Sequence, residues 1–433
     1  METIKEKMKT PGWQMVGCCL AFLLGLSAFF AYLNRPVTLT LGVFAGSAWS
    51  VPSPDSQRLI DKGIECFEKK YPWIHVEYQS GIQPSDYSQW LTNQAVDGKL
   101  PDVFMILPDD FSLLAQSGAL LNLDALLNED QELGKDNFYP IAFEAGVMNK
   151  SCYALPFESN PELMFVNTTI LKDKKIPLQK NGWTLDDFYQ ICKSVSQDSE
   201  TGGADRTAPI ANYSWLDAAN ALQCRLISED GKSVNLSQDS FRKAFSYAKG
   251  IEDMLKEFSA EEQSFDDGKS VFSTMTVAQY KTYKPYPWRV KRLSAFDWEA
   301  VPMPGSSEGG FISCQTLLMG ISAHTMNRQE SWHLLQTFCG NPEIQQMIND
   351  ESQGVSVLKQ AVIKEDPDSG LDNALLANVM NSSNGNAELQ LNNTAMKELS
   401  SRLEKLLVSD EDADLALSAI QTETNLYLNG QIR

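Results

Sequence analysis

Residues 100–124 read LPDVFMILPDDFSLLAQSGALLNLD. Val103 to Leu107 is a short continuous apolar run, as a strand buried on both faces requires, and Pro108-Asp109-Asp110 stops it sharply. The pattern predicts a helix next. Asp109 or Asp110 can cap it, Leu113, Leu114 and Ala115 give it an apolar face, and Gly118 supplies the left-handed residue that ends it. In an open α/β sheet, ligands sit beyond the carboxyl ends of the strands, where this turn lies, so both carboxylates are candidate ligand contacts by position. Capping uses the same geometry, and both roles stay open for each aspartate.

Upstream, Val37 to Phe44 alternates apolar and polar residues and predicts the first strand. The loop Ala45 to Ser50 leaves its end, carrying Ser47 and Trp49. A large aromatic among small residues has no periodic face to join, so Trp49 is either a ligand platform or a lid over a local cluster. Ser56 to Lys70 is an amphipathic helix stopped by Tyr71-Pro72, and Ile74 to Tyr78 is a second strand whose His75 falls on the solvated face. A further helix, Asp86 to Asp97, leads into residues 100–124. The order strand, helix, strand, helix, strand predicts parallel strands with right-handed crossovers, hence a doubly wound α/β lobe.

Downstream, Tyr153 to Pro161 has two prolines within six residues and reads as an extended crossing between domains, with Glu158 and Asn160 in it. Met164 to Val166 reads as a strand with Asn167 as the cap of the next helix, and Thr184 to Asp187 opens another. Asn212-Tyr213-Ser214-Trp215 precedes a helix, and a long amphipathic helix runs from Ser237 to about Phe258. Strands are expected at Trp298 to Met303 and Leu317 to Ser322, and helices at Asn327 to Cys339, Thr394 to Leu407 and Ser409 to Leu428. Tyr280 to Arg292 is the one basic stretch, five cations among four aromatics. Alone it fits single-stranded nucleic acid; in this acidic chain a solvated face beside an aromatic core edge fits better.

With 433 residues the chain exceeds what one core usually serves, and a net charge of -20 disfavours nucleic acid and anionic membrane surfaces as partners. Eight scattered cysteines without CxxC, and three histidines, provide no metal-ligand spacing. No metal or cofactor is expected. Most cysteines outside the N-terminal segment read as buried small apolar residues. Gly12 to Leu33 is apolar apart from Gln14 and Ser27, long enough to span a bilayer, and preceded by Lys5, Lys7 and Lys9. This predicts an uncleaved transmembrane helix after a cytoplasmic 1–11, with the bulk of the chain outside the cell. Met15-Val16-Gly17-Cys18 looks like a lipobox, but the apolar run follows its cysteine, and Ser27 to Ala31 is a poor cleavage site.

Several landmarks occur in a familiar order: Tyr71-Pro72, Pro101-Asp102-Val103-Phe104, Gly118-Ala119-Leu120, Gly182-Trp183-Thr184, Gly268-Lys269, Val301-Pro302-Met303-Pro304 and Gly354-Val355-Ser356-Val357. From about residue 37 onward the chain resembles the extracellular solute-binding proteins of carbohydrate ABC importers, similar to maltose- and oligosaccharide-binding proteins. The resemblance implies a two-lobed periplasmic-binding-protein fold of type II, each lobe a doubly wound sheet flanked by helices, with 37–154 plus 317–350 in one lobe and 155–316 plus 351–433 in the other. It also implies a monomer that is not an enzyme, closes on a sugar and serves membrane permease subunits. Asp109 and Glu158 look like positions holding sugar hydroxyls, and Asn212, Tyr213 and Trp215, with Gln279 and Tyr280, fall where the second lobe presents ligand contacts. Members are commonly lipoproteins or cleaved secreted proteins, a pattern this N-terminus does not fit. Two other classes stay open: a glycosidase pairing Asp109 with Glu158, and an anchored sugar sensor.

Overall fold

The computed structural model describes Leu23, Gly25 and residues 36–49, 51, 56–79, 81–178, 182–201, 206–228, 232–282, 296–305, 312–361, 371–382 and 393–430. Apart from Leu23 and Gly25, the apolar segment expected to anchor the chain lies outside these residues, as does the basic stretch beyond Thr282. Among the described residues, no helix is long and apolar enough to cross a membrane.

Strand β1 (Val37–Gly42) buries Leu39 and Leu41 and exposes Thr38 and Thr40, the alternation of a sheet covered on one face there. It pairs in parallel with β2 (Ile74–Gln79) from Val37 opposite Ile74 to Gly42 opposite Gln79. On its other side lies β3 (Val103–Ile106), parallel and buried at every residue. The connecting helices are Ser56–Lys70 and Pro84–Val96, the latter with proline in its first turn, where its missing N–H costs nothing. His75 is exposed on β2 beside Glu68.

The turn after β3 differs from expectation. Pro108–Asp110 forms one 3-10 turn before the helix Phe111–Gln116, and neither aspartate accepts a capping bond from a helix N–H. Gly118 does take the left-handed conformation, with φ of 74°. A short hairpin follows, β4 (Val147–Met148) and β5 (Ser151–Cys152), with positive φ at both central residues, Asn149 and Lys150.

Strand β6 (Ala154–Asn167) is the 14-residue crossing. Its first half joins the first lobe and its second half joins the second. In the second lobe it runs antiparallel to β8 (Ser270–Thr276) and β9 (Trp298–Val301), and β7 (Ala208–Ala211) extends β8 in parallel. In the first lobe it pairs antiparallel with β10 (Cys314–Ile321), which also pairs antiparallel with β3. The expected parallel order therefore holds for β1 to β3 and is interrupted at the antiparallel β10, because the chain re-enters this lobe from the other one. The β10 pairing slips at Leu317/Leu318, so Glu158 faces Leu317 while Pro156, which has no N–H to donate, faces Leu318.

Two of the four expected helix boundaries in the second half fall within a residue: Arg328–Gly340 and Asn393–Val408. Asp239–Leu255 is shorter at both ends, and the last helix starts later, at Ala413–Leu428. Asn167 caps its helix through Ile170 N–H at 3.1 Å, and Thr184 with Asp187 opens Leu185–Thr201. The expected lobe boundary at residue 351 is displaced. Strand β11 (Val355–Ser356) pairs with β6, Leu358 bridges to Phe138, and the helix Asn373–Met380 packs on Pro140–Glu144 in the first lobe. Leu376, Val379 and Met380 bury their side chains in the same apolar cluster as the first-lobe strands. The described cysteines are free thiols, four of them buried.

Candidate functional site

The loop leaving the carboxyl end of β1 turns at Gly46, with φ of 98°. Ser47 Oγ then accepts the Trp49 backbone N–H at 3.1 Å, folding the loop back on itself. That turn carries the Trp49 ring inward, where its indole N–H donates to Glu158 Oε1 at 2.9 Å. The same oxygen accepts the Gly354 N–H at 2.5 Å and the Ser352 hydroxyl. A side chain at residue 354 would put its Cβ 2.4 Å from Glu158 Oε1 and 2.7 Å from the Ser159 carbonyl, so the approach depends on glycine.

Ser47, Trp49, Glu158 and Ser352 line a recess of about 50 Å³, closed by Phe44, Met105 and Phe157. It has room for a few water-sized groups and not for a whole sugar ring. An apolar wall with two carboxylates, Glu158 and Glu351, and two serine hydroxyls, Ser47 and Ser352, suits a hydroxyl-bearing ligand that enters with its edge.

Asp109 and Asp110 sit on the neighbouring turn after β3. Asp110 accepts the Ser88 hydroxyl at 2.7 Å, which is what it does in place of capping. Partial burial pushes the Asp109 carboxyl above its ordinary value, opposed by Lys397 on the helix Asn393–Val408 of the second lobe. Asp109 nonetheless keeps an accessible side chain, so this loss of hydration is incomplete. Burial likewise raises Asp110, with Ser88 acting the other way.

The second-lobe candidates divide. Asn212 is exposed at a left-handed φ of 61°, its carbonyl accepting Thr274 Oγ1 at 2.6 Å. Gln279 is exposed as well, but its Oε1 accepts the Thr276 N–H at 2.9 Å at the start of the helix Val277–Thr282. Tyr213 packs its ring on Phe188 at 5.1 Å, and its buried hydroxyl meets no partner among the described residues. Three others are interior residues. Trp215 is 2% exposed and packs edge-on against Phe241, so it offers no face to a ligand. Tyr280 is buried between Phe165 and Trp298, and Asn160 spends its Oδ1 on the Ala278 N–H at 2.9 Å. Aromatics at a loop-to-helix junction look available in sequence; here the core beneath each junction takes Trp215 and Tyr280.

The profile of the family described as bacterial extracellular solute-binding protein matches residues 62–369, well over half of the chain. The chain belongs to that family. Its fold is similar to that of the sugar-binding protein MalE from Xanthomonas citri, with a TM-score of 0.72 at 16% identity, covering 91% of this chain and 98% of that one. It is also similar to the cyclic alpha-maltosyl-1,6-maltose binding protein from Arthrobacter globiformis (TM-score 0.70, 14% identity, 91% and 100% covered). A third likeness is an ABC substrate-binding protein from Listeria monocytogenes in complex with cycloalternan (TM-score 0.66, 15% identity, 91% and 100% covered). No curated protein matches in sequence.

This solute-binding protein also holds a buried acidic pair that sequence reasoning missed. Glu162 on β6 lies against Asp217 in the helix Trp215–Ala221, and burial, then the Asp217 charge, pushes the Glu162 carboxyl well above its ordinary value. Glu162 and Asp217 share a hydrogen bond. Part of the Glu162 side chain stays accessible while the carboxyl itself is enclosed. Asp217 also accepts the Ser214 N–H and hydroxyl, both at 2.7 Å. The Ser214-x-x-Asp217 spacing is a capping signature and was the available signal. Among the described residues, no cluster of three or more metal-ligating side chains occurs.

Proposed function

We propose that this chain is the membrane-anchored, extracellular substrate-binding subunit of an ABC-type sugar importer. It takes an uncharged mono- or oligosaccharide between its lobes, closes by bending about the strands that cross between them, and delivers the sugar to the permease. The observation that carries the reading is the Trp49–Glu158 recess at the carboxyl ends of the first-lobe strands, next to the Asp109 turn that faces Lys397 of the second lobe. Carboxylates accept sugar hydroxyls, the indole packs against the edge of a ring that enters the recess, and hinge closure would enclose both. The three similar structures are all named for sugars or substrate binding, which supports the ligand class. Anchoring rests on the apolar residues 12–33 with lysines before them. The protein is read as a monomer that catalyses no reaction and has no nucleic-acid partner.

A thermal-shift screen of the purified protein against neutral oligosaccharides tests this. A ligand present at 100 times its Kd adds about 2.7 kcal/mol of stability. Stabilisation by an amino acid or peptide, with none by any carbohydrate, would overturn the sugar reading and leave the family intact.

A further inference from the structure

The Gly354 peptide is held from both sides. Its N–H donates to Glu158 and its carbonyl accepts from the Lys281 ammonium. The same ammonium reaches Ser352 O at 3.1 Å and Asn349 O at 3.4 Å. These carbonyls lie at the carboxyl end of the helix Pro342–Glu351, where the helix dipole concentrates partial negative charge and a cation is stabilised. A lysine ammonium has three donors and no acceptor, so a cluster of carbonyls matches it.

The two sides of this contact belong to different lobes. Lys281 sits in Val277–Thr282, which continues directly from β8 of the second lobe. Pro342–Glu351 packs on Ser56–Lys70 and Arg328–Gly340 of the first lobe. The turn between them then hands the contact on: Gly354 N–H and Ser352 hydroxyl to Glu158, and Glu158 to the Trp49 indole. Because no Cβ fits at residue 354, the turn approaches Glu158 closely, and a small displacement of its peptide would break the bond.

We propose that Lys281 is a second-lobe positioning residue for the Trp49 recess. Seated on the three carbonyls, it aims the Gly354 N–H at Glu158, and Glu158 in turn fixes the indole against which a ligand packs. The relative position of the lobes is thereby coupled to the orientation of a side chain deep in the first lobe. The functional meaning deepens, and rests on, the reading of that recess as a ligand site; the coupling itself can be measured without a ligand.

The test follows the Trp49 indole N–H resonance in the full-length protein labelled with 15N-tryptophan and assigned by Trp49→Phe. Lys281→Met keeps the aliphatic stem and removes the charge and donors. We expect it to move the Trp49 resonance and to raise its solvent-exchange rate at least tenfold, with the remaining tryptophans unchanged. Lys281→Arg, which restores a cation, should recover most of the shift, an outcome that loss of packing alone would not give. Glu158→Gln should move the same resonance. If Glu158→Gln moves it and Lys281→Met does not, the link through Gly354 is overturned; if neither does, the whole relay is. Should Lys281→Met fail to fold, Lys281→Gln takes its place with the same expectations. Failure of the sugar reading would show separately in the carbohydrate thermal-shift screen, which this measurement does not use.

Discussion

Trp49 and Glu158 stand 109 residues apart and share a buried hydrogen bond of 2.9 Å that ties the loop after β1 to the strand crossing between the lobes. Glu158 holds two further donors, the Gly354 N–H and the Ser352 hydroxyl, on the same oxygen. Glu158→Ala strands all three donors in the interior, each at a cost of about 1–3 kcal/mol. We expect a loss of about 3–5 kcal/mol in urea unfolding, after partial relaxation of the turn. A loss below 1 kcal/mol would mean that the carboxylate organises nothing.

Gly354→Ala should destabilise the protein by about 1–3 kcal/mol, as over-packing of a tight site does. The added methyl would sit 2.4 Å from Glu158 Oε1 and 2.7 Å from the Ser159 carbonyl, and the backbone oxygen cannot step aside. Melting temperature is the readout. An unchanged value would show that the turn opens at no cost.

Much of the first lobe is legible in the sequence because its signals are local. The alternation of Val37 to Gly42, the apolar stripe of Ser56–Lys70 and the unbroken run at Val103 each announce an element without reference to anything distant. The crossing at Tyr153 to Pro161 shows through its prolines. What stays hidden is who pairs with whom. Nothing near Cys314–Ile321 says that it inserts antiparallel between β3 and β6, and nothing near Leu376 says that its helix returns to the first lobe. The site divides the same way. Ser47, Trp49 and Glu158 are found from loop composition and a familiar order of residues, and they meet. Trp215 and Tyr280 carry similar signals yet serve cores, since burial depends on helices far along the chain.

Trp215 thus yields a prediction opposite to that for a ligand platform. Trp215→Ala should cost about 3–5 kcal/mol of stability, the range for removing a large aromatic from a packed core. Equilibrium unfolding measures it. A loss of ligand affinity with unchanged stability would return Trp215 to the binding surface.

The Glu162–Asp217 pair gives a pH dependence. Glu162 is raised in the folded protein above its ordinary value of 4.5, so between that value and its folded one the native state binds more protons than the unfolded state. Stability then falls as pH rises through this window, and is fullest below it. Besides burial, the neighbours that set the effect are Asp217, itself raised by burial, which pushes Glu162 up, and Ser313, whose hydrogen bond acts the other way. Glu162→Gln keeps a donor toward Asp217 and removes the titration. We expect a shallower decline in melting temperature above pH 4.5 than in the wild type; parallel profiles would contradict it.

The central claim, that the Trp49 recess and the Asp109 turn bind an uncharged sugar, is tested most directly by calorimetric titration. Wild type, Trp49→Ala and Asp109→Ala would be titrated with the oligosaccharide that stabilises the wild type best. Asp109→Ala should weaken binding by about 1.5–3 kcal/mol, the worth of a hydrogen bond to a charged group, while keeping the fold. Trp49→Ala should lose at least as much. Wild-type affinity in both variants would contradict the assignment, leaving the fold and family in place and the sugar elsewhere.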